Sequence, residues 1–214
     1  RGDLVIDIGA GSGAITAVLA RRCRQVLAYE NEPGTLNKLQ QNIRRHKNVK
    51  VIAQDFLQAK LPDEPYKVFA NIPFHLSADI VRKLTSNDEM QAPRSICLIV
   101  QKQFAQKIVP SDWHFTSQLG AQLAPWWQAR IRRPLRRTDF TPPPAVDTVL
   151  LELKPRPEPL LPTLERDEYQ SFVAKCYTSQ KAFAAAPRAK ASINPERKPS
   201  ELTPEEWVQL YYMS

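Results

Sequence analysis

Residues 4–8, LVIDI, followed at once by Gly9-Ala10-Gly11-Ser12-Gly13, constrain this chain more than any other stretch. A short apolar run with β-branched residues, bounded by Asp3 and by glycine, reads as a strand buried on both faces, the habit of a parallel sheet. The pattern then turns helical over residues 14–22. Glycines between a buried strand and a helix let the backbone approach a ligand closely, with the helix N-terminus just behind. A plain tight turn would use the same residues. A second short strand, residues 25–29, ends at Glu30, about 20 residues beyond the first glycine, where a carboxylate can accept both hydroxyls of a ribose. The two elements together point to a nucleoside site.

The glycine spacing narrows the ligand. A dinucleotide site uses G-x-G-x-x-G, whose third glycine lets helix pack on strand. Here Asp7, Gly9, Gly11 and Gly13 give D-x-G-x-G-x-G. That form resembles the first motif of S-adenosylmethionine-dependent methyltransferases, whose ligand has no pyrophosphate to neutralise.

A chain of 214 residues suffices for one sizeable core and a small appendage. No stretch approaches the roughly 20 apolar residues of a bilayer span, and no signal peptide is visible. Cys23, Cys97 and Cys176 are odd in number and scattered, without CxxC spacing. They read as reduced thiols of a cytoplasmic protein, with no zinc site expected. His46, His75 and His114 lack ligand spacing as well, so no metal is expected. A net charge of +8 points to a polyanionic partner. The chain opens almost directly on its first strand, where a domain of this class usually has a covering segment. We therefore expect a fragment or an N-terminally trimmed chain.

Residues 35–45 place Leu36, Leu39 and Ile43 on one face of an amphipathic helix. A third strand, residues 48–53, runs into Gln54-Asp55-Phe56. An Asp at the C-terminal end of a parallel strand points into the ligand crevice of an open α/β sheet. Its carboxylate can accept an adenine amino group while Phe56 covers the ring; an ordinary helix cap or loop residue is the alternative. Strands follow at residues 67–70, 95–100 and 146–153, with helices at 77–84, which Ser77 can cap, and 101–108. Residues 119–127 read as a packed helix or strand. Strands alternating with helices predict a doubly wound, mostly parallel sheet. Four prolines in residues 155–162 mark a stiff linker. Beyond it, residues 166–183 are helical, 184–199 a loop, and Thr203-Pro204-Glu205-Glu206 a capping box opening a last helix. The expected domains are a catalytic domain over 1–154 and a small helical domain over 155–214.

The fourth strand delivers Asn71-Ile72-Pro73-Phe74. This resembles the fourth motif, [DNS]-[IP]-P-[FYW], of methyltransferases that alkylate exocyclic amines. The lone pair of an aromatic amine is delocalised into its ring and is a poor nucleophile. An Asn oxygen and the carbonyl of Ile72 can accept both amino hydrogens and aim the lone pair at an incoming methyl. Pro73 fixes the loop, and Phe74 offers a face to a base taken out of its helix, worth about 1–3 kcal/mol of stacking. A strand-end turn with a core Phe is the structural alternative.

On these residues the chain resembles the Erm family of rRNA adenine N6-methyltransferases, and more broadly the rRNA adenine dimethylases. The likeness covers DIGAGSG at 7–13, the strand ending in Glu30, QDF at 54–56, NIPF at 71–74 and IVQKQFA at 99–105. It continues through RRTDFTPPPAVDTVLLEL at 136–153 and LTPEEWVQLY at 202–211. The resemblance implies a Rossmann-like methyltransferase sheet with a small C-terminal helical RNA-binding domain, acting as a monomer. It implies S-adenosylmethionine as donor, an adenine of 23S rRNA as acceptor and resistance to macrolide-lincosamide-streptogramin antibiotics. By the match, Gly9, Ala10, Gly11, Gly13, Glu30, Asn31, Asp55, Phe56 and Asn71 hold the cofactor. Asn71, Ile72, Pro73 and Phe74 hold the target adenine, and Phe140 sits on the other side of the flipped base. Position 74 is Phe where many members have Tyr, so any hydroxyl contact is lost. The family's segment ahead of the first strand, with a Gln-Asn pair touching cofactor and RNA, is missing, so weak cofactor binding is expected.

The housekeeping dimethylases of small-subunit rRNA share the NIPF-type loop and the pattern from Phe140 to Asp147; RRTDF at 136–140 and the short C-terminal part favour the Erm branch. Arg130, Arg132, Arg133, Arg136 and Arg137 alternate with Ile131 and Leu135 and are candidate phosphate contacts, as are Lys102 and Lys107. A solvated basic face would look the same. A non-catalytic nucleic-acid binder on this fold is a further reading, against which Asp55 and Asn71 argue. A DNA adenine or protein-glutamine methyltransferase would leave the TDFTPPPAVD match unexplained.

Overall fold

In a computed structural model of the chain, which describes residues 2–86, 92–110 and 116–214, the first strand β1 (Leu4–Ile8) is buried at every position. It is followed by α1 (Ala14–Ala20), β2 (Gln25–Tyr29), α2 (Pro33–Ile43), β3 (Val49–Ile52) and β4 (Tyr66–Asn71). Then come α3 (Ser77–Thr85), β5 (Ser95–Gln101), α4 (Lys102–Ile108), α5 (Gln118–Leu123), β6 (Trp127–Leu135) and β7 (Thr148–Pro155). Three helices close the chain: α6 (Arg166–Thr178), α7 (Gln180–Ala185) and α8 (Pro204–Tyr212). His114 lies outside the described residues.

One sheet of seven strands has the order β3-β2-β1-β4-β5-β7-β6. β1 pairs in parallel with both β2 and β4, Leu4 standing opposite Gln25 on one side and Tyr66 on the other. The chain winds outward from β1 to β3 and then returns to build β4 and β5 on the other side. A crevice forms at such a reversal, outside the carboxyl ends of the strands. This places Gly9 after β1, Glu30 after β2 and Asn71 at the end of β4 around one point. β7 departs from the parallel rule: it runs antiparallel to β5, Val149 opposite Val100. The apolar runs that predicted buried strands are the sheet's core, with Ile6, Val26, Ala28, Leu98 and Val100 fully buried.

The chain divides into two units, Arg1–Lys102 with Arg132–Lys154, and Gln103–Ile131 with Pro155–Ser214. The expected boundary at 154/155 is therefore the third crossing, after those at 102/103 and 131/132; most of α4, all of α5 and the start of β6 belong with the C-terminal helices. The reason is packing that sequence order hides. The Tyr169 hydroxyl of α6 donates to the Ala121 carbonyl of α5 at 3.0 Å, and Gln122 Nε2 donates to the Gln170 carbonyl at 2.8 Å. The Trp126 indole donates to the Leu161 carbonyl at 2.9 Å. Around α8, the buried Trp207 stacks on Tyr177 with ring centroids 5.7 Å apart.

Two local expectations are corrected. Residues 166–183 are not one helix: Ser179 is extended, at φ −130°, and its side chain caps α7 by accepting from Ala182 N. Ser77 does not cap α3, which it begins; its hydroxyl instead donates back to the Phe74 carbonyl at 2.8 Å. The Thr203 capping box is present as read. Among the described residues no helix is long and apolar enough to cross a membrane, and no three acidic, His or Cys side chains cluster as metal ligands.

Candidate functional site

Glu30 is the most constrained side chain at the crevice. Gly11 N donates to its Oε2 at 2.9 Å, and Asn31 N and Glu32 N both donate to its Oε1 at 2.9 Å. Three backbone donors on one carboxylate fix its plane before any ligand arrives, and charge-assisted bonds of this kind are the stronger ones. The glycine loop that supplies the first donor is held from beneath. Ala10 N donates to the Tyr29 carbonyl at 2.9 Å, tying the loop to the end of β2. Gly13, at φ +90°, has no room for a side chain: a Cβ there would lie 2.7 Å from Leu39 Cδ1. The third glycine thus serves helix packing. Gly9, at φ +65°, abuts the Pro73 ring, where a Cβ would approach to 3.2 Å. The cofactor loop and the Asn71–Phe74 segment meet at this contact.

Below the loop, Asp7 is buried and its Oδ2 accepts from the Thr16 hydroxyl of α1 at 2.6 Å. Burial pushes its carboxyl up to about 7, the Glu30 charge adds to the rise and the Thr16 hydrogen bond opposes it. Asp7 was visible in the glycine motif as a letter without a task. Thr16 gave no signal of its own.

At the end of β3, Asp55 caps a short 3-10 turn, Phe56–Gln58, with Oδ1 accepting from Leu57 N at 2.9 Å. The capping alternative for Asp55 is therefore real, and it occupies one oxygen of the carboxylate. Phe56 is buried with its ring edge-on to Tyr29 at 5.2 Å. Gly9, Glu30, Asn31, Asp55, Phe56 and Pro73 line one cleft, whose walls Ile8, Leu57, Leu76 and Ile80 help to complete. Ala10, Gly11 and Gly13 stand outside that lining. The Ala10 side chain packs in the core with Ala28, Leu39 and Ile43, so only its backbone remains for a ligand.

Asn71 contrasts with Glu30. Its Oδ1 is buried and has no hydrogen-bond partner. A buried acceptor left empty costs about 1–3 kcal/mol, so it marks a place where a partner is wanted. Ile72, next in the chain, is buried as a whole residue. Phe74 begins a 3-10 turn, Phe74–Leu76, and is half-buried; His75 beside it is exposed. Phe140 is also half-buried, and among the described ring pairs neither Phe74 nor Phe140 stacks on another ring.

The basic run is split by structure. On β6, Arg130 and Arg132 share one face and Arg133 takes the other, because side chains alternate along a strand. Arg132 lies 3.8 Å from Glu152 and Arg137 lies 3.3 Å from Asp147. Arg136 enters the 3-10 turn Arg137–Asp139, its backbone N donating to Asp139 Oδ2 at 3.0 Å. Lys102, Lys107, Arg133 and Arg136 are exposed, with Lys107 and Arg130 in the second unit.

Comparison with known proteins agrees with this geometry. An rRNA methyltransferase of Streptomyces thermotolerans is 34% identical over 179 residues, which is 84% of this chain and 58% of that protein. The ribosomal RNA small subunit methyltransferase A of Streptococcus thermophilus is 33% identical over 175 residues, 76% of this chain and 59% of its own length. The chain thus spans little more than half the length of these curated relatives. The crystal structure of the 23S rRNA methyltransferase ErmE superposes with a TM-score of 0.83 at 28% identity, covering 99% of this chain and 91% of that one. The expected Rossmann-like methyltransferase sheet and the likeness to Erm-type proteins are both borne out. The ribosomal RNA adenine dimethylase family matches residues 1–183, and the chain belongs to that family.

Proposed function

We propose that this chain transfers a methyl group from S-adenosylmethionine to the N6 amine of an adenine in ribosomal RNA, with 23S rRNA as the substrate. The observation that carries the reading is the empty, buried acceptor Asn71 Oδ1, two residues before Pro73 of the cleft that Glu30, Asp55 and Phe56 line. The residues fit the cofactor. Glu30 is a fixed acceptor for ribose hydroxyls, Asp55 and Phe56 bracket an adenine, and Asn31 completes the wall. When bound, the cofactor supplies a methyl on a positively charged sulfur, which departs as a neutral thioether.

The chain's own residues act on the amine. Asn71 Oδ1 accepts one amino hydrogen and the Ile72 carbonyl accepts the other, which concentrates the nitrogen lone pair and points it away from both acceptors. Pro73, seated against Gly9, holds that carbonyl in place. Phe74 and Phe140 offer faces to the extruded base. No strong base is required, because the proton leaves readily once nitrogen carries the methyl.

On this reading the first unit performs the chemistry and the second, with the exposed Lys102, Arg133 and Arg136 of the first, contributes RNA contacts. Modification of 23S rRNA would confer macrolide-lincosamide-streptogramin resistance. A second reading rests on the small-subunit methyltransferase relative, which is nearly as similar as the Streptomyces one. The test is tritiated S-adenosylmethionine with protein-free 23S and 16S transcripts and intact small subunits, for this chain and for one extended at its N-terminus. Label on free 23S RNA that disappears with Asn71→Ala supports the proposal. Label on small-subunit RNA alone selects the second reading. RNA binding with no label on any substrate points to a non-catalytic binder.

A further inference from the structure

We infer that Lys83, in the last turn of α3, is a positioning residue for the adenine end of the cofactor cleft; the inference rests on the reading of Asp55 and Phe56 given above. Its Nζ donates to the Leu57 carbonyl at 3.0 Å. The same ammonium lies 5.8 Å from the centroid of the Phe56 ring, within range of a cation–π attraction. Leu57 is therefore gripped on both its backbone groups, its N–H by Asp55 Oδ1 and its carbonyl by Lys83. The opposite edge of the arrangement is closed by Tyr29, whose ring meets Phe56 edge-on.

The helix that carries Lys83 also reaches the other half of the site. Its first residue, Ser77, donates to the Phe74 carbonyl. α3 thus spans from the segment that presents the target amine to the turn that presents the cofactor's adenine. A surface lysine at a helix C-terminus ordinarily answers the helix dipole alone. This one is half-buried and donates to a carbonyl that is 26 residues away in sequence. A lysine suits the task because a long flexible stem carries a charged donor to a carbonyl on another element.

Lys83→Met keeps the stem and removes the donor and the charge. Titration with S-adenosylhomocysteine should show its Kd rise about fivefold, the scale of one ordinary net hydrogen bond. Single-turnover transfer to rRNA at saturating cofactor should stay within about twofold of the parent, because the loss is in binding and not in chemistry. Lys83→Arg should recover part of the affinity. In an Asp55→Ala background the Lys83→Met penalty should vanish, since the two act through the same turn. An unchanged Kd for Lys83→Met beside a weakened Asp55→Ala would overturn the inference and leave the site reading intact. A penalty that persists undiminished in the Asp55→Ala background would overturn it also. An Asp55→Ala protein that binds as tightly as the parent would sink the adenine reading and this inference together.

Discussion

Glu30 and Asn71 end the strands that flank β1 on either side, and they are treated in opposite ways. The Glu30 carboxylate receives three backbone N–H groups, whereas Asn71 Oδ1 receives none. One half of the site is complete without a ligand; the other is left wanting a donor. On the proposed function, the difference separates two tasks. A cofactor is bound by a surface already shaped, which limits the ordering cost of binding. An amine is activated by an acceptor kept free of competing donors, which satisfies itself only when substrate arrives. The stability cost of an empty acceptor is then the cost of having it available.

The sharpest way to break this contrast is Asn71→Ala. Methyl transfer at saturating cofactor should fall about 10²–10³-fold, the usual effect of deleting one preorganised polar contact to the reacting centre. Thermal melting should not drop, because an unpaired acceptor has been removed. A rate unchanged by this substitution would erase the distinction. Glu30→Ala should do the reverse. It strands three backbone donors, so denaturant titration should show a loss on the order of 3 kcal/mol, together with weakened cofactor binding.

Asp7 sharpens the Glu30 half. Its folded carboxyl titrates near 7, above the 3.8 of an unperturbed Asp, so the folded state holds the proton more tightly. The stability this provides is full below the unfolded value and is lost as pH rises through about 7. Asp7→Asn should match the parent below the unfolded value and exceed it at pH 8, on the order of 4 kcal/mol, in urea titrations at the two pH values. The smallest effect belongs outside both halves. Arg133→Ala should leave cofactor affinity and the rate at saturating RNA unchanged while lowering RNA affinity and reducing its salt slope by about 1.

Much of the cofactor half was legible because it is local. The glycine run, Glu30 and the Gln54-Asp55-Phe56 segment are contiguous with strands whose apolar runs announce them. NIPF stood out by its likeness to a known motif, since Asn and Pro at a strand end are also ordinary turn residues. What stayed hidden depends on distant packing. Nothing near Lys83 in the sequence sets it apart from a solvated lysine, since its partners lie across the fold at Leu57 and Phe56. The association of α5 with α6 rests on Tyr169 and Gln122 reaching across 48 residues, so a boundary drawn at the prolines divided what packing joins. Arg132 and Arg137 read as phosphate contacts, but Glu152 and Asp147 lie beside them. Composition counts charges and does not see neighbours.

The central claim is that the site methylates an exocyclic adenine nitrogen, and it is tested most directly by identifying the atom modified. Ribosomal RNA incubated with the protein and S-adenosylmethionine would be digested to nucleosides and resolved by mass spectrometry against N6-methyl, N6-dimethyl, N1-methyl and 2′-O-methyl adenosine standards. The account predicts N6-methylated adenosine, at a single position, and its loss with Asn71→Ala. Methyl on N1, on a ribose or on another base would contradict it, because an acceptor placed to hold an amino hydrogen has no part in those reactions.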